Sequence, residues 1–415
     1  MARFVRRPPL LLVISSLYLA QGIPLGLIVE ALPALLRAQG APLETIALLP
    51  MAMIPWMVKV LWAPVVDNHW NPVLGRRRSW ILPTQAVILA VLLIIAASSF
   101  APDGSREVIA LLGVASLAAA TQDIAIDGLA AERLGAGQMA MANSLQIGGM
   151  MSGMLIGGAG MLILTEWWGG HAAMLTLCGL VGLAAVPSWL WREPAPNGAG
   201  RPPPARLRHF FRRDGGWALA AVMTVFAANR GIDMTLSKPF LVEQGWGLAE
   251  IGVVIASGSS AMMITGAAVA GPLVRRLGAG PMILAGIALA LTGSLLWLGM
   301  AWTGAAPLAG VIAATACGSA GFGLSAVGVF TLAFHFAHAR HQAGTDITIA
   351  QCLHTVGEMA LVPPATYLAA HLGFAGGFAL SLAVGLTALT IVALTRRACA
   401  PARLAEVPPP HAECA

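Results

Sequence analysis

Twelve apolar stretches follow one another along this chain, each near or above the length a helix needs to cross a bilayer, and nothing constrains the fold more. A helix rises about 1.5 Å per residue, so about 20 residues cross a hydrocarbon core of ~30 Å. The stretches run roughly 9–37, 43–66, 80–100, 106–132, 138–165, 171–191, 217–242, 248–274, 280–300, 306–337, 343–371 and 374–395. Only Glu132, Arg133, Gly135 and Gly137 part the fourth from the fifth. The chain is 58% hydrophobic and 10% charged, with mean hydropathy +0.79, where soluble domains carry about 25% charged residues. The longest polar stretch, Arg192 to Asp214, is too short to fold as a soluble head. The class is therefore all-α membrane protein, with twelve transmembrane helices.

Arg3, Arg6 and Arg7 before an apolar run have the look of a signal peptide, but the run passes residue 30 without an A-x-A site and reads as an uncleaved first span. Cys178, Cys317, Cys352, Cys399 and Cys414 are scattered and odd in number, so neither a disulfide framework nor a metal site is expected. With both ends in the cytoplasm, nineteen arginines fall in cytoplasmic connections or tails and two, Arg37 and Arg106, in external ones. Lys59, Arg230 and Lys238 lie within spans. Lys and Arg in short loops set orientation, so both termini are expected in the cytoplasm of a bacterial inner membrane. The basic charge then belongs to the lipid interface, and no nucleic-acid partner is expected.

The connection Trp62–Trp80 sits between spans two and three and holds Asp67 and the block Arg76, Arg77 and Arg78. It recurs in shortened form at Gly271-Pro272-Leu273-Val274-Arg275, offset by 208 residues in 415. Pro33 matches Pro239, and Gly40, Leu43 and Ile46 match Gly245, Leu248 and Ile251. Gly137 matches Gly344, and Ala142, Asn143, Leu145, Gln146 and Gly149 fall on Ala350, Gln351, Leu353, His354 and Gly357. Two pseudo-symmetric six-helix halves follow, 1–192 and 217–396, with a Pro-, Gly- and Arg-rich cytoplasmic linker 193–216 and a tail 397–415.

Parallel six-span repeats are the plan of the major facilitator superfamily, and Asp67 followed by Gly75-Arg76-Arg77-Arg78 resembles that superfamily's loop motif. Ala63 stands in the place of the motif's glycine, and the gap is longer. Within the superfamily the chain resembles the muropeptide-permease (AmpG) branch in Tyr18-Leu19-Ala20-Gln21-Gly22-Ile23-Pro24, Lys59-Val60-Leu61-Trp62-Ala63-Pro64, Thr84-Gln85 and Thr121-Gln122-Asp123-Ile124-Ala125-Ile126-Asp127. Its length and twelve-span layout are closer to the siderophore-importer group (RhtX/FptX). The resemblance implies a major facilitator fold in which spans one, four, seven and ten line a cavity and three, six, nine and twelve face lipid.

Ionisable groups inside a membrane are costly and mark function by default. Asp123 and Asp127 share one face of span four; two stacked carboxylates repel when both are ionised, which suits proton coupling. The alternative joins Asp127, with Glu132, to the arginine block. His354 and Glu358 in span eleven make a second candidate proton relay. Arg230 in span seven must find a carboxylate or a ligand, so it either pairs with Asp233 one turn away or binds an anionic group of the substrate. Lys59, Tyr18, Gln21, Asn143, Gln146 and Gln351 complete the candidate substrate-binding set, and the Gly22-Ile23-Pro24 step softens span one at mid-depth. Asp67, Arg76, Arg77 and Arg78 form a candidate cytoplasmic gate. His335 and His338 are assigned to the cytoplasmic interface, and Glu30 and Lys238 to the outer one. The face Gly149, Gly153, Gly157 is expected to pack between the halves.

The expectation is a secondary transporter, a monomer without cofactor or metal and not an enzyme. It would import an iron–siderophore complex or related amphipathic anion with protons. The alternative is a muropeptide-type permease; an exporter and an intramembrane sensor or enzyme rank below. No Walker sequence, H-E-x-x-H or G-x-S-x-G occurs.

Overall fold

The computed structural model describes residues 8–38, 48–98, 105–193, 203–338 and 340–399. The N-terminal arginines, the 194–202 part of the linker and the tail from 400 lie outside the described residues, as do Gly40, Leu43 and Ile46 of the repeat. Among the described residues, nine spans are helices long and apolar enough to cross a membrane. They are span 1 (Leu10–Ala38), span 3 (Arg78–Ala97), span 4 (Glu107–Arg133), span 5 (Gly137–Trp168), span 6 (Gly170–Leu190), span 8 (Gly252–Leu277), span 9 (Ala279–Thr303), span 10 (Leu308–Ala337) and span 12 (Phe374–Thr395). The other three are interrupted. Span 2 is built of Leu49–Met53, Ile54–Val58, Lys59–Leu61 and Ala63–Asn68; span 7 of Gly216–Val225 and Ala228–Glu243; span 11 of Ala343–Ala360 and Val362–Leu372.

Proline explains two of the three interruptions. It lacks an N–H and disfavours helix in the residue before it. Pro50, Pro55 and Pro64 each open a new piece of span 2, and Pro363 does so in span 11. Span 7 breaks at Phe226–Ala227 without a proline. The softening expected at Gly22-Ile23-Pro24 falls later. The helix runs Leu10–Gly26 straight through Pro24 and widens into a π turn only at Leu27–Ala31.

Span 1 packs closely on span 5 through this stretch. A Cβ on Gly22 or Gly26 would stand 2.2 or 2.1 Å from the Met150 or Met154 carbonyl oxygen. From the other side, a Cβ on Gly153 or Gly157 would stand 2.4 or 1.9 Å from the carbonyl of Leu19 or Ile23. The Gly149–Gly153–Gly157 face therefore packs inside the first half, against span 1. It does not lie between the halves as its spacing had suggested. Small residues let two backbones approach, but the stripe alone does not name the partner.

The halves meet through spans 5 and 8, 5 and 10, 4 and 10, 4 and 11, and 2 and 11. Gly271 rests on Ser144, Asn143 Nδ2 donates to Thr331 Oγ1 at 3.0 Å, and His338 Nδ1 lies 2.8 Å from the Ala131 carbonyl. These contacts gather toward the side bearing the Arg76–Arg78 connection, here called the basic side. Among the described residues, the far pieces Leu32–Ala38 and Leu49–Met53 of the first half do not pack extensively on Val362–Leu372 or Gly252–Ser257 of the second.

The linker is more ordered than its composition implies. Its described part folds into a short helix, Leu207–Arg212, whose Phe210 is fully buried with its ring centroid 5.0 Å from that of Phe336. Span 7 already begins at Gly216. Spans 3, 6, 9 and 12 present exposed leucines and isoleucines such as Ile94, Leu183, Leu295 and Leu394, as expected of lipid-facing helices.

Candidate functional site

The first half gathers its buried charges around span 4. Asp123 and Asp127 do share a face, and they are 2% and 0% exposed. Lys59 sits in the 3-10 turn of span 2 that Pro55 and Pro64 bracket, and its buried ammonium pairs with Asp123 while lying 5.1 Å from the Trp56 ring centroid. Asp127 has no basic partner within ion-pair distance among the described residues and is held instead by neutral donors. The Tyr18 hydroxyl donates to Oδ1, Gln146 Nε2 donates to Oδ1 at 3.3 Å, and Gln351 Nε2 donates to Oδ2 at 2.6 Å.

Gln351 comes from the other half, and its amide is used at both ends: the carbonyl accepts from Lys59 while the NH2 donates to Asp127. One side chain of span 11 thus touches both charge systems of the first half. The same helix carries His354 and Glu358 one and two turns farther on, about 10 Å along the axis from Gln351 to Glu358.

The second half has its own cluster. Arg230 is bonded to Glu358 and lies over the Phe322 ring, 4.2 Å from its centroid. His354 Nε2 is 3.6 Å from the other Glu358 oxygen, and its ring is flanked by Phe226, Phe322 and Phe330. This rules out one of the two alternatives read from the sequence, an intrahelical Arg230–Asp233 pair. Span 11 brings Glu358 closer than the next turn of span 7 brings Asp233. Asp233 turns the other way, accepting from Ser294 Oγ at 2.5 Å and Ser381 Oγ at 2.6 Å. Those serines sit on spans 9 and 12, which carry no charge and gave no signal in the sequence.

Two of the expected binding residues are absorbed by packing. Gln21 is fully buried in an amide chain within the first half, donating to Gln122 Oε1 at 3.1 Å, while Gln122 donates to Gln85 Oε1 at 2.8 Å. Asn143 is equally buried and fastens span 5 to span 10 through Thr331.

On the basic side, Arg77 is fully buried between two acids. Its Nη1 lies 2.7 Å from Asp67 Oδ1, and its Nε and Nη2 reach the two oxygens of Glu132 at 3.1 and 2.5 Å. Burial alone would lower the Arg77 pKa, but the Glu132 and Asp67 carboxylates hold it above the ordinary arginine range. Asp67 Oδ2 accepts across to the second half, from the Thr345 N–H at 2.7 Å and the Thr345 hydroxyl at 2.6 Å. Arg76 joins Glu132 at 2.9 Å and the His341 carbonyl. Arg78 stands apart. Its side chain donates to the Trp189 carbonyl at 3.3 Å, and its N–H, like that of Arg77, is capped by Glu193. The alternative that sent both Asp127 and Glu132 to the arginines holds for Glu132 only. The linker adds a second tie, because Asn68 and Ala205 exchange two hydrogen bonds and Arg213 reaches Asp346 and the Phe336 carbonyl. Thr345, Glu193, Arg213 and Asp346 were not foreseen, since nothing local to them marks the partner.

Solved structures were compared with this architecture. A bacterial homologue of the iron transporter ferroportin in the outward-facing state superposes with TM-score 0.66 at 15% identity, over 93% of this chain and 98% of that one. The transporter FucP in the outward conformation gives 0.64 at 13% over the same shares, and the proton:xylose symporter XylE 0.68 at 14%, over 93% and 94%. The fold is the major facilitator fold. A family model described as acetyl-coenzyme A transporter 1 matches residues 10–167. The anhydromuropeptide permease of Escherichia coli (strain K12) is 31% identical over 268 residues, which is 62% of this chain and 54% of the permease. The chain thus spans about half the length of that relative. A putative transporter AmpG 4 of Rickettsia felis is 26% identical over 313 residues, 69% of this chain and 73% of that protein.

Proposed function

We propose that this chain is a secondary transporter that takes up a solute of the anhydromuropeptide kind, a glycopeptide with sugar, amide and carboxylate groups, by alternating access driven by protons. The observation that carries the reading is the buried set Lys59, Asp123, Asp127 and Gln351 at the meeting of the halves, where the one cation is paired with Asp123 and Asp127 is held by neutral donors. A proton on either acid changes the charge balance of a site that also binds the halves together, which is what coupling requires. Arg230 and His354, partly exposed above it, offer a guanidinium fork and an aromatic-lined imidazole to a carboxylate-bearing solute. With the basic side in the cytoplasm, as the arginine distribution supports, the ties around Asp67 and Arg77 close the inner face.

Similarity to the anhydromuropeptide permease favours this substrate class over the siderophore reading. The likeness to the ferroportin homologue, at 15% identity, bears on the fold alone. The test is uptake of labelled anhydromuropeptide and of labelled ferric siderophore by cells with and without the protein, each with and without an uncoupler. Uncoupler-sensitive accumulation of the muropeptide that depends on the protein is expected. Accumulation of the siderophore alone, or of neither, overturns the assignment.

A further inference from the structure

Asp233 takes no part in the transport scheme above, yet it is a carboxylate at membrane depth with no basic side chain within ion-pair distance among the described residues. We propose that Asp233 and the hydroxyl-lined cavity beside it form a binding site for a small alkali cation, within the second half and separate from the Lys59–Asp123–Asp127 cluster.

The surroundings of Asp233 are built to present the anion. Asn229 Nδ2 donates to Ser294 Oγ at 3.1 Å, which leaves the Ser294 proton for Asp233 Oδ2. Ser381 donates to Oδ1 from the other side. A carboxylate has about four acceptor positions, and these two bonds use half of them. Arg230 also borders the cavity, but Glu358 meets its charge and Phe322 covers its face. Taking Arg230, Glu358 and Asp233 together, one negative charge remains without a partner. In a low-dielectric interior such a charge calls for a cation or a proton.

The cavity has room and oxygens for the cation. Asp233, Ser237, Ser259, Thr315 and Ser319 supply its oxygens from spans 7, 8 and 10, between apolar walls that include Met234, Ile255 and Trp297. Thr315 is only 7% exposed and its Oγ1 has no hydrogen-bond partner, although a buried hydroxyl is costly to leave unbonded. The cavity volume is about 50 Å³. A water needs roughly 10–15 Å³ on this measure, so an ion with one or two waters fits and a sugar ring or peptide does not. The donors are a carboxylate and hydroxyls, hard oxygens suited to alkali and alkaline-earth ions, and no His or Cys is among them. With a single carboxylate the site matches one positive charge, where Ca²⁺ sites assemble six to eight oxygens from several charged ligands.

Binding is read on the purified protein without transport, so the outcome does not depend on which solute is carried. Thermal unfolding is followed in detergent as NaCl replaces choline chloride at constant ionic strength, with ²²Na⁺ equilibrium binding alongside. A saturable rise in Tm and one bound Na⁺ per chain are expected. Asp233→Asn should lose both, and Thr315→Val, which keeps the shape and removes the oxygen, should raise the half-saturating Na⁺ several-fold. Absence of saturable Na⁺ dependence in the wild type overturns the proposal. So does retention of full Na⁺ binding in Asp233→Asn. Should Asp233→Asn fail to fold, Thr315→Val decides, and an unchanged half-saturation point there counts against the site.

Discussion

Asp67→Asn isolates one atom-level tie between the halves. Asp67 Oδ2 accepts from both the N–H and the hydroxyl of Thr345, while Oδ1 faces Arg77 Nη1 at 2.7 Å. Asparagine has the same size but only one acceptor oxygen. If that oxygen serves Arg77, the new NH2 points at Thr345; the threonine hydroxyl can turn round to accept, but the backbone N–H cannot. If the amide flips, the NH2 points at Arg77, which only donates. The first orientation keeps the fully buried Arg77 charge partnered and is the favoured one; it loses the Thr345 N–H bond across the halves, worth about 1.5–3 kcal/mol, whereas the flipped amide would lose a contact inside the first half and leave the halves tied. At 1.4 kcal/mol per tenfold, the ratio of basic-side-closed to basic-side-open molecules falls roughly ten- to a hundredfold. Spin labels at the exposed positions Val73 and Arg340, in a background without the native cysteines, report the distance across that face. A longer-distance population should appear in the variant, transport should slow, and equilibrium solute binding should be largely kept. A folded variant with the wild-type distance distribution would refute the reasoning and leave Asp67 as a local cap for span 11.

The other expectations are checked separately. Asp123→Asn leaves Lys59 without its anion and removes a titratable group, so accumulation against a gradient should be lost while solute exchange persists; uptake under an imposed proton gradient tests it. Arg230→Lys keeps the charge but loses the planar fork that meets Glu358, and should weaken solute affinity several-fold while Tm changes little. Gly153→Val forces a branched side chain where even a Cβ would stand 2.4 Å from the Leu19 carbonyl, so a loss of at least about 1–3 kcal/mol is expected from thermal unfolding. Reporter fusions at Ala199 and Ala415 should give cytoplasmic signals, and an external signal at either would reverse the orientation.

The parts of this protein legible in its sequence are those fixed by solvent alone. Bilayer thickness sets the length of an apolar run, so the span ends fall within a few residues of the structure, and internal repetition gives two halves. Charged residues in spans were also legible as a set, because each is too costly to be incidental. Their pairing was not. Arg230 had an acid one turn away, yet it is bonded to Glu358, 128 residues distant, because the approach of span 11 decides the contact. Gln21 and Asn143 had the polarity of binding residues, but burial places one in an amide chain and the other between spans. Spacing defines a face; only packing says what that face meets.

Helix irregularity is where the two levels join. Span 1 has a π turn at Leu27–Ala31, span 5 at Ile156–Gly160 and span 8 at Gly252–Ser257. Spans 2, 7 and 11 are broken outright. Under the repeat these six form three pairs, 1 with 7, 2 with 8 and 5 with 11, and in each pair one member has a π turn and the other a break. Spans 3, 4, 6, 9, 10 and 12 have neither among the described residues. Proline accounts for spans 2 and 11 but not for span 7, so composition alone does not distribute the irregularity. A break frees backbone groups that must be satisfied away from lipid, which is tolerable only where protein or a wet cavity receives them. The three broken spans also hold Lys59, Arg230, Asp233, His354 and Glu358, leaving only span 4 to supply central charge from a regular helix. With the regular span 4 as the exception, outright breaks and central charge therefore coincide in spans 2, 7 and 11. Those are the elements whose bending would have to follow any change in charge at the centre.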